Sequence, residues 1–516
     1  MKPTPRKVLL ISADQWRGEC IAAHGHPEVH TPQLDALAAD ALSFRRHYAQ
    51  AAPCGPARAS LLTGLYAMNH RSVRNGTPLD ARHTNIALQA RAAGYDPILF
   101  GYTDTSPDPR GRPPRDPALR SYQGVLPGFR VGVEFPDENP AAWIADLLGK
   151  GYPPPASPSD IYYPAAELRG ASGAAAPWRA EDSDTAFIAD RVIEHLRQNR
   201  DTDWFVHAVF FRPHPPFYAA EPWASHYDPA TLRTPQRAAT LDEEAAQHPF
   251  LDWWLRSHAL PEYFLGKPLR SEQIDSAGLQ RIRAAYYGLL SEVDQHIGRI
   301  VEHLKASGEY EQTLIIFTVD HGEMLGDHWL FDKGGYFEQS YHIPLIVRDP
   351  RPQAAAARGT GVDEFSESVD LMPTILDWLG CEVPAACDGE SLLPFIEGRR
   401  PPRWRDAAHW EYDFRDLRHG RAEAALGLAP DQCNCAVLRG ERYKYVHFAA
   451  LPPLLFDLRE DPGEFRNLAA DPAHREVLLD CAQRLLSLRM THADRTLANT
   501  LLCSGGPISY RGPRRR

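Results

Sequence analysis

A cysteine near the N-terminus opens a short run whose residue types suit covalent chemistry on an anion. Cys54 is followed by Pro56 and Arg58, and the run ends at Gly64. Proline is favoured at the first position of a helix and glycine just after its last turn, so the run predicts a helix that begins at Pro56, with Cys54 at its N-terminus. Free backbone amides and the helix dipole favour anions there. The alternative for Cys54 is an ordinary buried thiol.

Oxygen and nitrogen donors follow two apolar runs that are far apart in the sequence. Asp14 and Gln15 follow the first run, and Asp320 and His321 follow the second. Carboxylate, amide and imidazole donors suit Mn²⁺ or Ca²⁺ and differ from the thiolate-rich sets of structural zinc sites. The pattern predicts one divalent metal ion without identifying it. Asp14 alone is more simply a helix N-cap or a turn residue, but its occurrence together with Cys54 favours the metal site.

The elements that must position these side chains have the pattern of an α/β fold. Four apolar runs, each followed by polar residues, predict strands at residues 8–11, 97–100, 204–211 and 314–319. Helical periodicity predicts amphipathic helices at residues 187–196 and 279–304. In open α/β sheets, ligands bind beyond the carboxyl ends of the strands. The four strand ends are therefore expected to contribute to one site.

The other segments predict a loop insertion and a smaller C-terminal unit. Residues 106–182 are rich in Pro, Gly and Ala and lack a sustained period, which predicts long loops over the sheet. These loops either shape a substrate pocket or form a passive surface excursion. Residues 435–448 predict a hairpin and residues 473–490 a helix. We therefore predict a catalytic α/β domain over 1–400 and a small sheet-plus-helix subdomain over 401–516.

Charge and composition limit the partners. The 516-residue chain has a formal net charge of −11, which argues against a bulk electrostatic grip on nucleic acid. Its eight cysteines show no regular disulfide framework. The apolar run at residues 8–11 is too short for a signal peptide or a membrane span. We expect a cytoplasmic protein with neither a nucleic-acid nor a membrane partner.

Two motifs resemble those of a known enzyme family. The run from Cys54 to Gly64 has the form C-x-P-x-R followed by L-T-G, which resembles the signature of the type I sulfatases, in which the cysteine is oxidised to formylglycine. Residues 320–334 resemble the second metal-site segment of that family, and similar motifs continue to residue 469. The resemblance implies an alkaline-phosphatase/sulfatase-like α/β fold, with a large mixed sheet flanked by helices and a small C-terminal α+β subdomain.

A finer resemblance is to the phosphonate monoester hydrolases, a phosphodiesterase branch of the sulfatase-like enzymes in the alkaline phosphatase superfamily. Residues 54–66, 212–217 and 444–453 all look like that branch. The resemblance implies that Cys54 becomes the formylglycine nucleophile. It also implies the ligands of one divalent metal ion, Mn²⁺ or Ca²⁺, which are Asp14, Gln15, Cys54, Asp320 and His321.

The same resemblance implies further catalytic residues and an assembly. Arg58 would hold the formylglycine, while Asn75, Tyr102, His214 and Lys333 would contact the transferred group or its leaving oxygen. Taken singly, each also has an ordinary structural interpretation, such as a core aromatic or a solvated cation. Residues 493–507 resemble the assembly arm of that branch, which implies a homotetramer.

One residue departs from the branch. Asp104 stands two positions after Tyr102, where the branch carries Thr and where typical arylsulfatases carry Lys and His at the two positions. If Asp104 points inward, it adds negative charge, offers a base and disfavours dianionic substrates relative to monoanions. If it points outward, it is an ordinary turn residue.

The resemblance implies a hydrolase of phosphonate monoesters and phosphodiesters with a secondary sulfatase activity. Its partners would be a small-molecule phosphonate, phosphate or sulfate ester and a formylglycine-generating enzyme. An arylsulfatase is the alternative enzyme, and the non-enzyme alternative is a metal-binding pseudoenzyme whose Cys54 is never converted.

Overall fold

The computed structural model describes residues 6–170, 173–257, 262–265 and 268–509. The strands, in chain order, are β1 (Lys7–Asp14), β2 (Leu42–Tyr48), β3 (Ala51–Ala52), β4 (Ile98–Gly101), β5 (Arg130–Glu134), β6 (Trp204–Pro213), β7 (Thr313–Val319), β8 (His342–Arg348), β9 (Thr360–Val362), β10 (Ser366–Glu367), β11 (Ala407–Asp413), β12 (Asn434–Gly440), β13 (Tyr443–Phe448), β14 (Leu454–Asp457), β15 (Thr500–Cys503) and β16 (Gly506–Ser509). The α-helices are α1 (Pro32–Ala38), α2 (Cys54–Thr63), α3 (Ala67–His70), α4 (Ile86–Ala92), α5 (Ala141–Gly149), α6 (Asp184–Gln198), α7 (Leu241–Ala245), α8 (Pro249–Ser257), α9 (Glu262–Leu265), α10 (Ser276–Ser307), α11 (Leu371–Leu379), α12 (Leu393–Ile396), α13 (Arg421–Leu426) and α14 (Arg475–Thr491).

A large mixed sheet forms the centre of the fold. Within the described ranges it has nine strands in the order β10-β2-β8-β7-β1-β6-β4-β5, with β9 paired to β2. Strand β8 runs antiparallel to β7 and β2. All residues of the central strand β1 are buried, as expected for a strand covered on both faces. The predicted α/β fold with a large mixed sheet is confirmed.

The four strands predicted from apolar runs are β1, β4, β6 and β7. They lie side by side in the order β7-β1-β6-β4, and each adjacent pair is parallel. Their carboxyl ends therefore meet at one edge of the sheet. Asp14, Tyr102, His214 and Asp320 lie at the ends of these strands or directly after them.

The predicted amphipathic helices are confirmed as α6 and α10. Their N-terminal amides are capped by side chains, with Ser183 accepting from Ala186 and Asp275 accepting from Gly278. Both helices pack on β6 and on each other. Among the described helices, none is long and apolar enough to cross a membrane.

A second sheet lies in the C-terminal part of the chain. Its order is β14-β13-β12-β11-β3, and α14 packs against β12 and β13. The predicted hairpin is β12 and β13, and the predicted helix is α14. Strand β3 pairs with β11 and immediately precedes the Cys54 segment, so this sheet supports the segment that delivers Cys54. The predicted division into two domains near residue 400 stays a prediction. The segment 106–182, for which long loops were predicted, also contains the strand β5 and the helix α5.

A carboxyl group is buried behind the end of β6. Glu292 on α10 is 1% exposed, and its Oε1 has no hydrogen-bond partner among the residues that the structure describes. Burial, followed by the charge of Asp184, raises the pKa of Glu292 from 4.5 to about 8. The folded state thus holds a proton that the unfolded chain has already lost. Stability is therefore lost as pH rises from the unfolded to the folded pKa.

We expect Glu292→Gln to raise the thermal unfolding midpoint by a few degrees near pH ~8.5 and to change it little near pH ~5, because the amide keeps the shape without the charge. Differential scanning calorimetry at the two pH values measures the effect. Glu302→Gln, at an exposed position on the same helix, is the control. An equal shift of the midpoint at both pH values would contradict this interpretation of Glu292.

Candidate active site

Cys54 lies at the N-terminus of a buried helix. Helix α2 begins at Cys54 and ends before Gly64, which has a left-handed φ of 68°. The helix thus begins two residues before Pro56, the position predicted to be its first. Proline still fits there, because the first-turn amides have no acceptor within the helix. Cys54 is 4% exposed, so its sulfur lies inside the protein and beside these amides.

Four side chains converge on a possible cation position. One ligand atom each from Asp14, Cys54, Asp320 and His321 lies within 4.8 Å of the others, and all four residues are buried. His321 Nδ1 lies 3.0 Å from the carbonyl oxygen of Gly322, so Nδ1 donates that bond and Nε2 is the ring nitrogen that faces the cluster. Nε2 lies 3.2 Å from the Cys54 sulfur. Two carboxylates and an imidazole lone pair fit a divalent cation, and an oxygen at position 54 would suit a hard cation better than sulfur does.

The amide of Gln15 is oriented by two ionisable neighbours. Its Nε2 donates to Glu323, and its Oε1 accepts a 2.7 Å hydrogen bond from Lys333 Nζ. Its backbone N–H donates to Asp320 over 3.1 Å. Gln15 has a φ of 70°, a left-handed conformation that is uncommon for residues other than glycine and is often found at functional sites. Glu323 therefore fixes which amide atom of Gln15 can face a cation.

Arg58 joins the two strand ends that carry the carboxylates. Its Nη2 lies 2.8 Å from Asp14 Oδ2, and its Nε lies 3.0 Å from Asp320 Oδ2. Its Nη1 donates to the carbonyl oxygen of Tyr102, and its guanidinium carbon lies 4.1 Å from the Tyr102 ring centroid. The Tyr102 hydroxyl in turn donates to Asp14 over 2.7 Å. The position of Asp14 is thus fixed by two donors.

The charges around Cys54 disfavour its thiolate. Burial opposes ionisation of Asp14, but the cationic groups around it, Arg58 among them, hold its pKa below the usual range. Burial and the charge of Asp14 raise the pKa of the Cys54 thiol well above its usual value. Burial and Asp14 also raise the pKa of Asp320.

His214 and Lys333 form a pair with distinct proton states. The Nε2 of His214 lies 3.2 Å from Lys333 Nζ, and its Nδ1 lies 2.7 Å from the carbonyl oxygen of Pro215. Nδ1 therefore carries the proton, and Nε2 accepts from the ammonium. Burial, followed by the charge of Lys333, lowers the pKa of His214 to about 3. The imidazole is neutral, so Lys333 is the proton donor of the pair.

Asn75 and Asp104 flank the residue that follows Cys54. Gly55 N–H donates to Asn75 Oδ1 over 2.8 Å. A Cβ at Gly55 would lie 3.1 Å from both Asn75 Oδ1 and the Asp104 carbonyl oxygen, so this close approach favours glycine. Asp104 is 6% exposed and has a φ of 48°. Of the two orientations open from the sequence, its side chain adopts the buried one.

The structure brings all the predicted site residues into one region. They are Asp14, Gln15, Cys54, Arg58, Asn75, Tyr102, Asp104, His214, Asp320, His321 and Lys333. Sequence reasoning missed Glu323 and Asp137. Glu323 lies two residues after His321, so its closeness to a predicted metal ligand could have identified it from the sequence. Asp137 lies inside the loop-rich insertion, where no local pattern distinguishes it.

A buried residue at a helix N-terminus, a cation-binding cluster and a lysine donor define a hydrolase that acts on anionic esters. Comparisons with known protein families agree. The family described as Sulfatase matches residues 6–381, and the one described as N-sulphoglucosamine sulphohydrolase, C-terminal, matches residues 326–491. The chain belongs to the sulfatase family.

Three known proteins match this chain over nearly its whole length. The multifunctional alkaline phosphatase superfamily protein PehA of Trinickia caryophylli is 44% identical over 505 residues, which cover 96% of this chain and 97% of PehA. The phosphonate monoester hydrolase of Agrobacterium radiobacter has a TM-score of 0.95 and 49% identity, with 98% and 100% of the two chains covered. The phosphonate monoester hydrolase SpPMH of Silicibacter pomeroyi has a TM-score of 0.92 and 42% identity, with 99% and 100% covered. The resemblance to the phosphonate monoester hydrolases and the assignment as an ester hydrolase are confirmed.

We expect Glu323→Gln to weaken Mn²⁺ binding about 10- to 100-fold. The amide oxygen of the new Gln would accept from the Leu325 and Asp332 N–H groups, as Oε1 of Glu323 does, and its NH₂ group would then face Gln15 Nε2 and could not accept from it. Isothermal titration calorimetry of the metal-free protein with Mn²⁺ measures the change. Glu292→Gln removes another buried carboxylate outside this cluster and serves as the control. Unchanged Mn²⁺ affinity in the Glu323 variant would show that Gln15 is oriented without this contact.

Proposed function

We propose that this protein hydrolyses monoanionic phosphonate monoesters and phosphodiesters and, more slowly, sulfate esters. The observation that carries this proposal is the pair Tyr102 and Asp104 beside the cation-binding cluster, where typical arylsulfatases have Lys and His. The site thus has fewer positive charges for an additional anionic oxygen, which favours an ester with one negative charge. The sulfatase family match supports the secondary activity on sulfate esters.

Cys54, converted to formylglycine, would supply the nucleophile. A hydrated aldehyde carries two hydroxyls on one carbon, and one of these oxygens attacks phosphorus while the substrate alcohol departs. Loss of the proton from the second hydroxyl then breaks the bond between carbon and the bridging oxygen, which restores the aldehyde and releases the phosphonic acid. Because residue 54 is 4% exposed, conversion by a formylglycine-generating enzyme would have to precede folding around it.

One divalent cation would be held by Asp14, Gln15, Asp320 and His321 together with residue 54. We propose Mn²⁺, with Ca²⁺ as the alternative, because the donors are mainly oxygens. When bound, the cation supplies positive charge that favours an ionised hydroxyl and stabilises the anionic ester. Arg58 holds the carboxylates of Asp14 and Asp320 in place through two ion pairs.

Lys333 would protonate the departing alkoxide. Its ammonium donates to the neutral imidazole of His214 and to Gln15, and it lies 3.1 Å from Asp332 Oδ1, so its position is fixed by three groups. His214 therefore orients the proton donor and does not itself supply the proton. After the alcohol leaves, Lys333 regains a proton from water.

Two alternative functions are an arylsulfatase and a non-catalytic pseudoenzyme. An arylsulfatase would prefer a sulfate ester in the same site. A pseudoenzyme would bind the cation and substrate analogues but carry an unmodified Cys54 thiol.

We expect kcat/KM for p-nitrophenyl phenylphosphonate to exceed that for p-nitrophenyl sulfate by about tenfold or more, a difference of about 1.4 kcal/mol in transition-state binding. Spectrophotometric assays of one preparation with confirmed conversion of Cys54 measure both constants. Cys54→Ala, which removes the nucleophile, should abolish both activities. A tenfold preference for the sulfate would instead identify an arylsulfatase.

We also propose a cytoplasmic homotetramer. The hairpin β15-β16 is a two-stranded sheet with exposed apolar side chains at Leu501, Leu502 and Ile508. An isolated hairpin is only marginally stable in water, and exposed apolar side chains at this density favour a partner surface. Self-association through this arm is the simplest way to cover them, and four subunits follow from the family resemblance.

We expect a Leu501→Lys, Leu502→Lys double variant to have a smaller mass in solution than the parent tetramer, because charges replace the apolar contacts. Light scattering coupled to size-exclusion chromatography measures the mass. Leu417→Lys, at another exposed leucine, is the control. A monomeric parent protein would contradict the proposed assembly.

A further inference from the structure

Two carboxyl groups beside the site each have a buried oxygen without a partner. Oδ1 of Asp104 and Oδ1 of Asp137 are inaccessible to solvent and have no hydrogen-bond partner in the described part of the chain. The other oxygen of Asp104 lies 3.9 Å from Arg58 Nε, which is longer than a hydrogen bond. Two acceptors near Cys54 are thus unused by the protein itself.

The backbone around Asp104 is fixed by its neighbours. Thr103 Oγ1 and the Thr105 N–H both donate to the carbonyl oxygen of Gly124 over 3.0 Å. These bonds hold Asp104 in its left-handed conformation, with a φ of 48°. Aspartate is one of the few residues other than glycine that adopt this conformation readily. The carboxyl group is therefore held in a defined position at the end of β4.

Asp137 is brought to the same place by the loop-rich insertion. The N–H of its neighbour Glu138 donates to Gln123 Oε1 over 3.3 Å. The Phe135 N–H donates to the Gly101 carbonyl oxygen over 2.9 Å, so Asp104 and Asp137 follow the ends of two paired strands, β4 and β5. Burial, followed by the charges of Asp137 and Asp104, raises the pKa of Tyr122 well above its usual value. The insertion thus adds a second acid to the one at the end of β4.

The donors near the two carboxyl groups, Arg58 for Asp104 and the Glu138 N–H for Asp137, do not offset the cost of burial. Burial raises the pKa of Asp104 well above its usual value despite the nearby Arg58, and Asp137 adds to the rise. Burial and the charge of Asp14 raise the pKa of Asp137 to about 7. A buried acceptor without a donor is unfavourable, and a ligand that brings a cationic donor removes that cost.

We propose that Asp104 and Asp137 together bind an ammonium group on the substituent that stays attached to phosphorus. The preferred substrates are then zwitterionic esters, with one negative charge at phosphorus and a positive charge a few atoms away. This inference rests on the proposed function and specifies the substrate class of the same site. Once ionised beside the ammonium, the two acids also repel a second negative charge on phosphorus, so phosphate monoester dianions are disfavoured.

The position of Asp104 indicates that the ammonium lies on the substituent that stays on phosphorus and not on the leaving alcohol. Oδ2 of Asp104 lies 3.9 Å from Nε of Arg58, on the helix that begins with Cys54, and the Asp104 carbonyl oxygen lies against Gly55. Lys333, the proposed donor to the alcohol, instead contacts Gln15 and His214. Because the alcohol leaves opposite the attacking oxygen, a group held beside Cys54 stays on phosphorus.

Two matched substrates test the inference. The p-nitrophenyl esters of aminoethylphosphonic acid and propylphosphonic acid have the same leaving group and similar size, and only the first carries an ammonium. We expect kcat/KM of the converted, Mn²⁺-loaded enzyme to be about tenfold higher for the aminoethyl ester, equivalent to about 1.4 kcal/mol. The readout is the ratio of the two kcat/KM values. A loss of activity that affects both esters equally leaves this ratio unchanged.

Three variants locate the effect. Asp104→Asn and Asp137→Asn should each bring the ratio close to one, because each removes a carboxyl group that ionises beside the bound ammonium, with little change in shape. Glu138→Gln removes a charge at the exposed neighbouring position and should leave the ratio intact. Equal constants for the two esters in the parent enzyme, or an unchanged ratio in both Asp variants, would overturn the assignment.

A binding measurement separates this inference from the proposed function. If neither ester is hydrolysed, the proposed function fails, and calorimetry on Mn²⁺-loaded Cys54→Ala with the monomethyl esters of the two phosphonic acids decides the inference. Tighter binding of the aminoethyl ester by about tenfold, lost when Asp137→Asn is added, supports the carboxyl pair. Equal binding of the two esters overturns it.

Discussion

The double ion pair of Arg58 with Asp14 and Asp320 is the interaction on which the rest of the site depends. The two carboxylates come from adjacent parallel strands and are 1% and 2% exposed, so without a cation between them they would repel strongly in a medium of low dielectric constant. Arg58 comes from the helix that begins with Cys54. One guanidinium therefore sets the position of Cys54 relative to the carboxylates of Asp14 and Asp320.

Other parts of the fold hold this arrangement from outside. The four parallel strands bring their carboxyl ends to one edge, and the C-terminal sheet pairs with β3 just before Cys54. Glu323 orients Gln15, and His214 orients Lys333. Each reactive group thus has a second residue that determines which of its atoms faces the substrate, as preorganised electrostatic catalysis requires.

Local signals were enough to predict much of this site. Each of the strands β1 and β7 is an apolar run followed by donor side chains, and the proline and glycine around Cys54 indicate a helix, although its first residue was misplaced by two positions. The separate roles of His214 and Lys333 could not be predicted, because they depend on a hydrogen bond to the Pro215 carbonyl. Asp137 could not be predicted either, because it reaches the site through tertiary contacts of a loop. The inward orientation of Asp104 likewise depends on bonds from Thr103 and Thr105 to a distant loop.

The most direct test of the central claim is the chemical state of residue 54 in preparations of different activity. Mass spectrometry of the peptide that contains residue 54 measures the fraction of aldehyde and of thiol, and the phosphonate ester assay measures turnover for the same samples. Turnover should rise in proportion to the aldehyde fraction and extrapolate to zero for the pure thiol. Full activity in a sample that carries only the thiol would contradict the account.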